Sequence, residues 1–476
     1  MRRLPGGGRV DTPEAGFLSW RVIRFERHGF RWELQPELEP WLDQLLAEPG
    51  HPIKEAPAKR VSRHEAGGRV FYVKRYRHDA VALRSLKFFL KPSPARKEWQ
   101  LAQQLDALGV PAVRHVAHGE RWDGRGLRES ILITEGFDGQ PLHEVPGLAP
   151  AAVMEFVARL HQRGVLHDDL HSDNILARAE PPEFRLLDLD KTRIKPSLTA
   201  AEREDNLAFL AISFPLPLTG RAAARRLELR RQLLHERSRR CLRHNREFAP
   251  QRHGGLMWRV RLPLLTPAAG RVLADPDEFL RARAKILKPG STTTVGVADG
   301  LVLKRFNFRK LLNLAKDLLR RSRACRAFRK SYHLELAGVP TARVVAVAER
   351  RVAGLLARSY QLMEEIPGAM TLQKFLRAGG RPDRGLIREA ARLVARLHDE
   401  GFTHGDLNER NLVLDAQGRL FLIDLDSLEF APRARAAADL GRLARDMSKH
   451  AAVTRAHREA FLRHYCRARR LRQVPR

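Results

Sequence analysis

The sequence contains two long copies of one pattern, and this repeat limits the possible folds more than any other feature. "HDDLHSDN" at 167–174 is followed by "LLDLDK", and "HGDLNERN" at 404–411 is followed by "LIDLDS". "YVKRY" and "VLKRF" recur in the same order and place Lys74 and Lys304 230 residues apart. Solenoid repeats have periods of roughly 20 to 50 residues, so this interval indicates the duplication of a whole domain.

Each copy begins with strand patterns and continues with helix patterns. "RVFYVKRY" and "GLVLKRF" alternate apolar and polar residues, whereas "PAAVMEFVARLHQRG" and "GLIREAARLVARLHDEG" have helical spacing and end at Gly164 and Gly401. We predict an α+β fold in which each copy has a small β-rich N-lobe and a helical C-lobe. The proline and paired glycines of "HNREFAPQRHGG" predict a linker. The predicted boundaries are 15–245 for the first domain, 246–256 for the linker and 257–476 for the second domain.

Composition narrows the class of protein and its partners. The 476 residues are 43% hydrophobic and 30% charged, which is enough for two globular domains. The net charge of +32 and the pI near 11.1 indicate a polyanionic partner: an anionic membrane surface, a phosphorylated glycan or nucleic acid. Nucleic acid is disfavoured because acids interrupt the basic residues throughout and no base-reading module is present. Three scattered cysteines indicate a reducing compartment.

No segment has the pattern of an export signal or a membrane span. The first twenty residues lack an unbroken apolar run, and the apolar stretch "LAFLAISFPLPL" from Leu207 contains two prolines and is shorter than the roughly 20 residues needed for a span. We therefore expect a cytoplasmic protein whose contact with any membrane is peripheral.

The repeated motif suits phosphoryl transfer from ATP. In an HxDxxxxN loop the Asp lies beside the acceptor hydroxyl, the Asn offers an oxygen to Mg²⁺, and a later Asp binds the same metal. A strand lysine neutralises the nucleotide phosphates. The predicted cofactors are thus ATP and Mg²⁺. The predicted residues are Asp169 and Asp406 as catalytic bases, Asn174, Asp188, Asn411 and Asp424 as metal ligands, and Lys74 and Lys304 as nucleotide contacts.

Other polar residues near the motif receive structural roles or remain open. His161 and His398 end amphipathic helices and are expected to pack or cap. His167 and His404 are expected to brace the loop. Asp190 and Asp426, the second acids of each "DLD", are either metal ligands or turn formers.

The copies differ at positions that matter for nucleotide binding. Glu98 is placed on a helix to hold Lys74, but alignment on "GVP" puts Ala327 opposite Glu98. Lys304 therefore lacks an evident clamp unless Glu335 substitutes. Asp168 stands where the second copy has Gly405. Neither copy has a GxGxxG loop. In the second copy, "KPGSTTTV" offers Gly290, Ser291 and Thr292 as phosphate contacts, and in the first "KRVSRHEAGGRV" is the weaker candidate.

With these motifs the chain resembles the protein-kinase-like superfamily and, within it, the bacterial lipopolysaccharide core kinases that act on Kdo and heptose. The words that carry the resemblance are "YVKRY", "LGVP", "LHQRGVLHDDLHSDNIL" and "LLDLDKTR" in the first copy, and "VLKRF", "AGVPTAR", "LHDEGFTHGDLNERNLVL" and "LIDLDS" in the second. The resemblance implies two tandem protein-kinase-like domains that phosphorylate a sugar hydroxyl of an acidic glycolipid, the lipopolysaccharide inner core, at the inner face of the inner membrane.

Several features bear on the acceptor and leave alternatives open. The interval after each metal Asp is short and has no APE anchor, which favours a glycan or small acceptor over a protein chain. "LLRRSRACRAFRK" provides arginines suited to phosphates or acidic sugars. We expect the first copy to be active; the second is either a second enzyme or a degenerate copy that binds the glycolipid. The alternatives are a small-molecule phosphotransferase of the aminoglycoside or choline type, a protein kinase, and a nucleotide-binding pseudokinase scaffold.

Overall fold

The computed structural model describes residues 20–56, 58–78, 86–124, 126–290, 292–307, 321–352, 355–430 and 435–472. The chain divides into two compact units, Met1–Arg226 and Leu227–Arg476, which we call the first copy and the second copy. The division falls inside one helix. The predicted linker 246–256 is instead part of the second copy, because its proline lies on an edge strand and its paired glycines form a hairpin turn.

The first copy contains twelve strands within the described ranges. They are β1 (Ile23–Arg27), β2 (Phe30–Leu34), β3 (His51–Ala56), β4 (Lys59–Ala66), β5 (Arg69–Arg77), β6 (His115–Asp123), β7 (Gly126–Glu135), β8 (Gln140–Pro141), β9 (Val165–His167), β10 (Ile175–Arg178), β11 (Glu183–Leu186) and β12 (Thr192–Ile194). Its helices are α1 (Leu42–Ala47), α2 (Pro94–Ala107), α3 (Pro150–Gln162), α4 (Ala200–Leu210) and α5 (Gly220–Ser238), the last of which crosses the division. Its 3₁₀ turns are Pro36–Trp41, Leu86–Phe89, Leu142–Glu144, Ser172–Asn174 and Leu189–Lys191. The turn Arg239–Leu242, which follows α5, lies in the second copy.

The second copy repeats this order within its own described ranges. Its strands are β13 (Phe248–His253), β14 (Leu256–Arg261), β15 (Lys285–Lys288), β16 (Thr293–Ala298), β17 (Leu301–Asn307), β18 (Val344–Val352), β19 (Leu355–Glu364), β20 (Met370–Thr371), β21 (Phe402–Thr403), β22 (Leu412–Leu414), β23 (Leu420–Leu422) and β24 (Glu429–Phe430). Its helices are α6 (Pro267–Ala274), α7 (Arg323–Leu336), α8 (Leu372–Arg377), α9 (Arg384–Asp399), α10 (Ala436–Met447) and α11 (Arg455–Arg472). Shorter turns are Leu262–Leu264, Pro276–Glu278, Phe279–Arg283 and Leu425–Ser427.

The strand lobe of each copy is one seven-stranded antiparallel sheet. The order is β1-β2-β6-β7-β5-β4-β3 in the first copy and β13-β14-β18-β19-β17-β16-β15 in the second. Side chains alternate between the two faces of a strand. In β5 this alternation buries Phe71 and Val73 in the sheet core and turns Lys74 to the opposite face. In β17 the same alternation buries Leu301 and Leu303 in the sheet core and turns Lys304 to the opposite face.

The helical lobe of each copy has a separate core. In the first, Phe156, Leu160 and Leu210 pack on the strands that flank the HxD loop. In the second, Leu397, Leu412 and related residues do the same. Helices α3 and α9 end just before Gly164 and Gly401, as predicted. The predicted α+β class, with a strand lobe and a helix lobe in each copy, is confirmed.

Gly164 connects the end of α3 to β9 and the HxD loop, and its backbone explains why glycine is needed. Its φ is +72°, and a Cβ at this position would lie 1.9 Å from the carbonyl oxygen of Lys195. Gly68 has nearly the same φ, +71°, but a Cβ added there would have no heavy atom within 4 Å.

These two glycines form a matched test of the fold. Gly68→Ala should cost about 1 kcal/mol of unfolding free energy, from the left-handed backbone alone. Gly164→Ala should cost about 1–3 kcal/mol more, because the backbone must also move away from the clash. Chemical denaturation of both variants measures the difference. Equal destabilisation would contradict the close approach of Lys195.

Candidate active site

A buried lysine joins three elements of the first copy. Lys74 Nζ lies 2.8 Å from Glu98 Oε1 on α2 and 2.5 Å from Asp188 Oδ1, just after β11. Lys74 and Glu98 are 4% and 1% exposed, so both charges depend on each other for stabilisation. Burial by itself lowers the pKa of Lys74, but the two carboxylates bring it above its ordinary value. The predicted pairing of Glu98 with Lys74 is present in the structure.

The carboxylate of Glu98 has a second partner that the sequence did not reveal. His115 Nε2 lies 3.5 Å from Glu98 Oε1. Burial alone raises the pKa of Glu98, but Lys74 and His115 hold it below its ordinary value, and Glu98 is therefore ionised at neutral pH. The helix that carries Glu98 is capped by Ser93, which accepts a hydrogen bond from the amide of Arg96 at 3.0 Å.

The HxD loop of the first copy is held by its own polar residues. Asn174 donates from Nδ2 to the carbonyl oxygen of Asp169 at 2.9 Å. The Asp169 amide donates to His167 Nδ1 at 3.2 Å, and His167 Nε2 contacts the carbonyl oxygen of Asp188 at 3.2 Å. The carboxylate of Asp169 is 48% exposed and so is open to a ligand. The structure thus brings Lys74, Asp169, Asn174 and Asp188 into one site.

The second copy keeps the contact between the Asn amide and the Asp carbonyl oxygen and adds contacts to the Asp carboxylate, including one from Asn411 Nδ2 to Asp406 Oδ2 at 3.3 Å. Asn411 donates to the carbonyl oxygen of Asp406 at 2.8 Å, and His404 Nε2 contacts the carbonyl oxygen of Ile423 at 3.0 Å. Arg442 on α10 forms an ion pair with Asp406 Oδ1 at 3.2 Å. This guanidinium competes with an acceptor hydroxyl for the predicted base.

The lysine of the second copy is held differently. Lys304 Nζ lies 2.7 Å from Asp424 Oδ1 and 3.2 Å from Asp426 Oδ2. Glu335, the candidate substitute for Glu98, instead accepts from Arg261 at 2.8 Å and does not act as the clamp. Asp188 and Asp424 share a left-handed backbone, with φ of 52° and 56°, which stores strain at equivalent points of the two sites.

A polar residue on the next helix anchors each loop, and sequence reasoning missed both. Asn206 on α4 donates to the carbonyl oxygen of His167 at 2.7 Å, and His161 contacts Asn206 at 3.0 Å. Asp439 on α10 accepts from the amides of His404 at 2.5 Å and Gly405 at 3.0 Å. The only trace of these anchors in the sequence is a polar residue directly before a leucine: Asn206 in "DNLAFL" and Asp439 in "AADLGRL".

Asp168, the acid that the first copy has in place of Gly405, lies next to Asp169 and pairs with an arginine. Its Oδ1 lies 2.6 Å from Arg193 on β12. Gly405 has φ of +75°, and a Cβ there would lie 2.6 Å from the carbonyl oxygen of Ser427. The backbone of the second copy therefore excludes an acid at this position.

The phosphate-loop candidates lie at hairpin turns. In the second copy, Gly290 and Thr292 connect β15 to β16, and their carbonyl oxygens accept from Asn307 at 3.1 and 3.0 Å; Ser291 lies outside the described residues. In the first copy, the glycines of "KRVSRHEAGGRV" form the turn between β4 and β5. Lys59, at the start of β4, is a second lysine that interacts electrostatically with Asp188 and Glu98, and burial lowers its pKa.

The donor sets suit a magnesium ion that shares its coordination with a nucleotide. In the described part of the chain, no group of three or more His, Cys, Asp or Glu side chains forms a metal cage. Mg²⁺ in kinase sites takes one or two protein oxygens and completes its shell with phosphates and water. The Asn174 amide uses Nδ2 within the loop, which leaves its oxygen for a cation, and His167 Nε2 ties Asp188 to the loop by contacting its carbonyl oxygen. In the second copy Asn411 likewise uses Nδ2 within the loop, and Asp424 follows Ile423, whose carbonyl oxygen His404 Nε2 contacts.

Known proteins match both copies. The family model described as lipopolysaccharide kinase (Kdo/WaaP) matches residues 43–229 and 299–465, which is more than half of the chain. The lipopolysaccharide core heptose(I) kinase WaaP of Pseudomonas aeruginosa is 29% identical over 187 residues, covering 34% of this chain and 70% of that protein. The 3-deoxy-D-manno-octulosonic acid kinase of Vibrio cholerae is 32% identical over 106 residues, covering 22% of this chain and 44% of that kinase.

Two solved structures are also similar. The structure titled "WaaP in complex with acyl carrier protein" is 25% identical and covers 42% of this chain and 89% of its own, with a TM-score of 0.31. A crystal structure of WbdD is 19% identical and covers 40% of this chain and 45% of its own, with a TM-score of 0.28.

Protonation of His167 provides a test of the loop geometry. The ring accepts from the Asp169 amide at Nδ1, and burial lowers its pKa below the ordinary 6.5, so the neutral ring persists at neutral pH. Because the folded-state pKa is lowered, its contribution to stability is complete above pH 6.5 and is lost as the pH falls. NMR of histidine-labelled protein, with the signal assigned by its loss in His167→Gln, should give a midpoint below 6.5. A midpoint at or above 6.5 would contradict the buried, neutral ring.

Proposed function

The chain belongs to the lipopolysaccharide kinase (Kdo/WaaP) family, and from this premise we propose that its first copy transfers the γ-phosphoryl group of ATP to a sugar hydroxyl of a lipopolysaccharide-type glycolipid. The observation that carries the assignment to the first copy is the buried Lys74–Glu98–Asp188 cluster, set beside the exposed carboxylate of Asp169. Relatives named as heptose and 3-deoxy-D-manno-octulosonic acid kinases support a sugar acceptor.

The first copy positions both reactants with its own side chains. Lys74, fixed by Glu98, contacts the phosphates of ATP and offsets their charge. Asn174 and Asp188 hold Mg²⁺, which supplies further neutralisation of the phosphates when bound. Asp169 accepts a hydrogen bond from the acceptor hydroxyl, orients it toward the γ-phosphorus and takes its proton as the new P–O bond forms. The bond from the γ-phosphorus to the oxygen that bridges it to the β-phosphate breaks in the same transfer, and ADP leaves. His167 and Asn206 keep the loop in place.

The second copy is proposed to bind rather than to catalyse. Its base Asp406 is paired with Arg442, and its helix has no acid at the position of Glu98. Three exposed arginines at the start of α7 suit an acidic sugar or a phosphate: Arg321, Arg323 and Arg326. Residues 318–320 of this cluster lie outside the described residues.

Substitution of the two bases distinguishes the copies. Asp169→Asn should lower kcat for phosphorylation of a dephosphorylated core glycolipid by about 10²–10⁴-fold, because the hydroxyl loses its proton acceptor. Asp406→Asn should change kcat less than about threefold. Asp173→Asn, an exposed acid of the same loop, is the matched control. Full activity of Asp169→Asn would contradict the assignment.

Acceptor profiling and glycolipid analysis separate the rival functions. The same preparation is tested with choline, aminoglycosides and a generic protein acceptor, all of which should stay unphosphorylated. Mass spectrometry of core glycolipid should show a loss of phosphate in cells without the gene. Unchanged phosphate content would favour a small-molecule kinase or, if ATP is bound without turnover, a scaffold.

We also propose that the first copy rests on an anionic membrane surface. Among the helices that the structure describes, none combines the length and apolar character needed to cross a bilayer. Phe89 and Leu90 are 62% and 91% exposed, and Phe89 contacts Trp122 with ring centroids 5.1 Å apart. Lys91 beside them is exposed. Aromatic and basic residues together are typical of contact with anionic lipid headgroups.

Vesicle binding tests this surface. Phe89→Ser/Leu90→Ser should weaken binding to phosphatidylglycerol-containing vesicles about tenfold or more, because two apolar side chains no longer enter the interface. Met257→Ser/Leu262→Ser removes two exposed apolar side chains, 51% and 37% exposed, from the second copy and is the control. Equal weakening by both pairs would contradict a specific docking surface.

A further inference from the structure

The second copy holds its strand lysine with a residue that has no such role in the first copy. Lys74 takes its two carboxylates from Glu98 and Asp188. Lys304 takes its two from Asp424 and Asp426, which are separated by a single leucine. The second acid of the repeated "DLD", open between metal ligand and turn former on sequence grounds, therefore contacts the nucleotide lysine in the second copy.

The helix carboxylate and its histidine have been replaced together. Helices α2 and α7 have equivalent serine caps, Ser93 and Ser322, 229 residues apart. The same interval places Ala327 at the position of Glu98 and Val344 at that of His115. Ala327 and Val344 are 3% and 2% exposed, and Val344 belongs to an apolar cluster with Phe306 and Phe328. Neither Ala327 nor Val344 carries a charge that could hold Lys304, so the lysine clamp has to come from another element.

Asp426 is oriented firmly enough to act as that clamp. Its Oδ2 lies 2.8 Å from Arg323, and Lys330 Nζ lies 2.8 Å from its carbonyl oxygen. Its side chain is only 12% exposed. Lys304 and Arg323 both face the ring of Phe306, at 4.9 and 5.1 Å from its centroid. Both cations lie within 3.2 Å of Oδ2, and Oδ1 is buried without a hydrogen-bond partner among the described residues.

In the first copy the equivalent loop keeps only the backbone part of this arrangement. Lys97 on α2 donates to the carbonyl oxygen of Asp190 at 2.5 Å, as Lys330 does to that of Asp426. The clamp in that copy is supplied by Glu98. The two copies thus solve the same electrostatic requirement with acids from different elements.

We propose that Asp426 is the positioning residue that holds Lys304 against nucleotide phosphates, in place of a helix glutamate, and that the second copy binds nucleotide. The inference rests on the proposed function, which makes Lys74 a phosphate contact, and it extends that role to Lys304. It predicts that an acid at 426 is required for nucleotide affinity in the second copy, whereas an acid at 190 is dispensable in the first.

The test uses full-length protein in which only one nucleotide site is intact. Lys74→Met removes the phosphate contact of the first copy, and a fluorescent ATP analogue is then titrated with Mg²⁺. In this background Asp426→Asn should raise Kd at least about tenfold, because the neutral amide no longer fixes the lysine. Asp426→Glu, which retains the charge, should stay within about threefold of the Lys74→Met protein.

The matched control exchanges the roles of the copies. In a Lys304→Met background, Asp190→Asn should leave the Kd of the first copy within about twofold. A second test builds the clamp of the first copy into the second copy. Ala327→Glu/Val344→His, which copies Glu98 and His115, should recover most of the affinity that Asp426→Asn loses. Thermal unfolding of each variant shows whether a loss of binding arises from a loss of fold. If Asp426→Asn lost binding because it unfolded, adding Ala327→Glu/Val344→His would not restore the affinity.

The outcomes separate this inference from the proposed function. If the Lys74→Met protein binds no nucleotide, the nucleotide site of the second copy is refuted, and the role of Asp426 with it. If that protein binds and Asp426→Asn binds equally well, only the role of Asp426 is refuted. Loss in Asp426→Asn with retention in Asp426→Glu supports the clamp.

Discussion

The ion cluster around the buried lysine is the interaction on which each site depends. An ammonium group inside a protein is stable only when carboxylates offset the loss of hydration, and removal of one partner typically costs about 3–5 kcal/mol. Lys74 meets this requirement with acids from a helix and from a loop. The lysine can be buried only when strand, helix and loop are in register. The site is therefore assembled by the same interaction that aligns the two lobes within that copy.

Duplication has allowed this requirement to be met in two ways. In the first copy the acid lies on α2 and is supported by His115. In the second copy an apolar pair fills that space and Asp426 supplies the charge. The loop anchors differ in the same manner, since Asn206 donates to a carbonyl oxygen and Asp439 accepts from two amides. The shared fold thus fixes where charge is needed, but not which residue supplies it.

The net positive charge of the chain and the acids of its two sites have different roles. The net charge of +32 favours anionic partners, and we propose anionic lipid and an acidic sugar as those partners. The acids of the HxD and DLD motifs are concentrated around the lysines and the loops. The high net charge does not prevent carboxylates from clustering in these loops, because a nearby lysine balances each cluster. These carboxylates are the ones that we propose for the metal ion and the acceptor hydroxyl.

The sequence by itself determined the duplication, the lobe order, the helix ends at Gly164 and Gly401 and the residues of the HxD and DLD motifs. The lobe order, the helix ends and the motifs each depend on spacing within one short segment, and the duplication is the recurrence of these segments in the second half of the chain. Only the tertiary structure decided which acid holds Lys304, that Glu335 serves Arg261 instead, and that the glycines of 246–256 form a turn within a sheet. Lys74 and Asp188 are 114 residues apart, and Lys304 and Asp426 are 122 apart. Contacts over such distances follow from how sheets and helices pack, and sequence spacing carries no record of that packing.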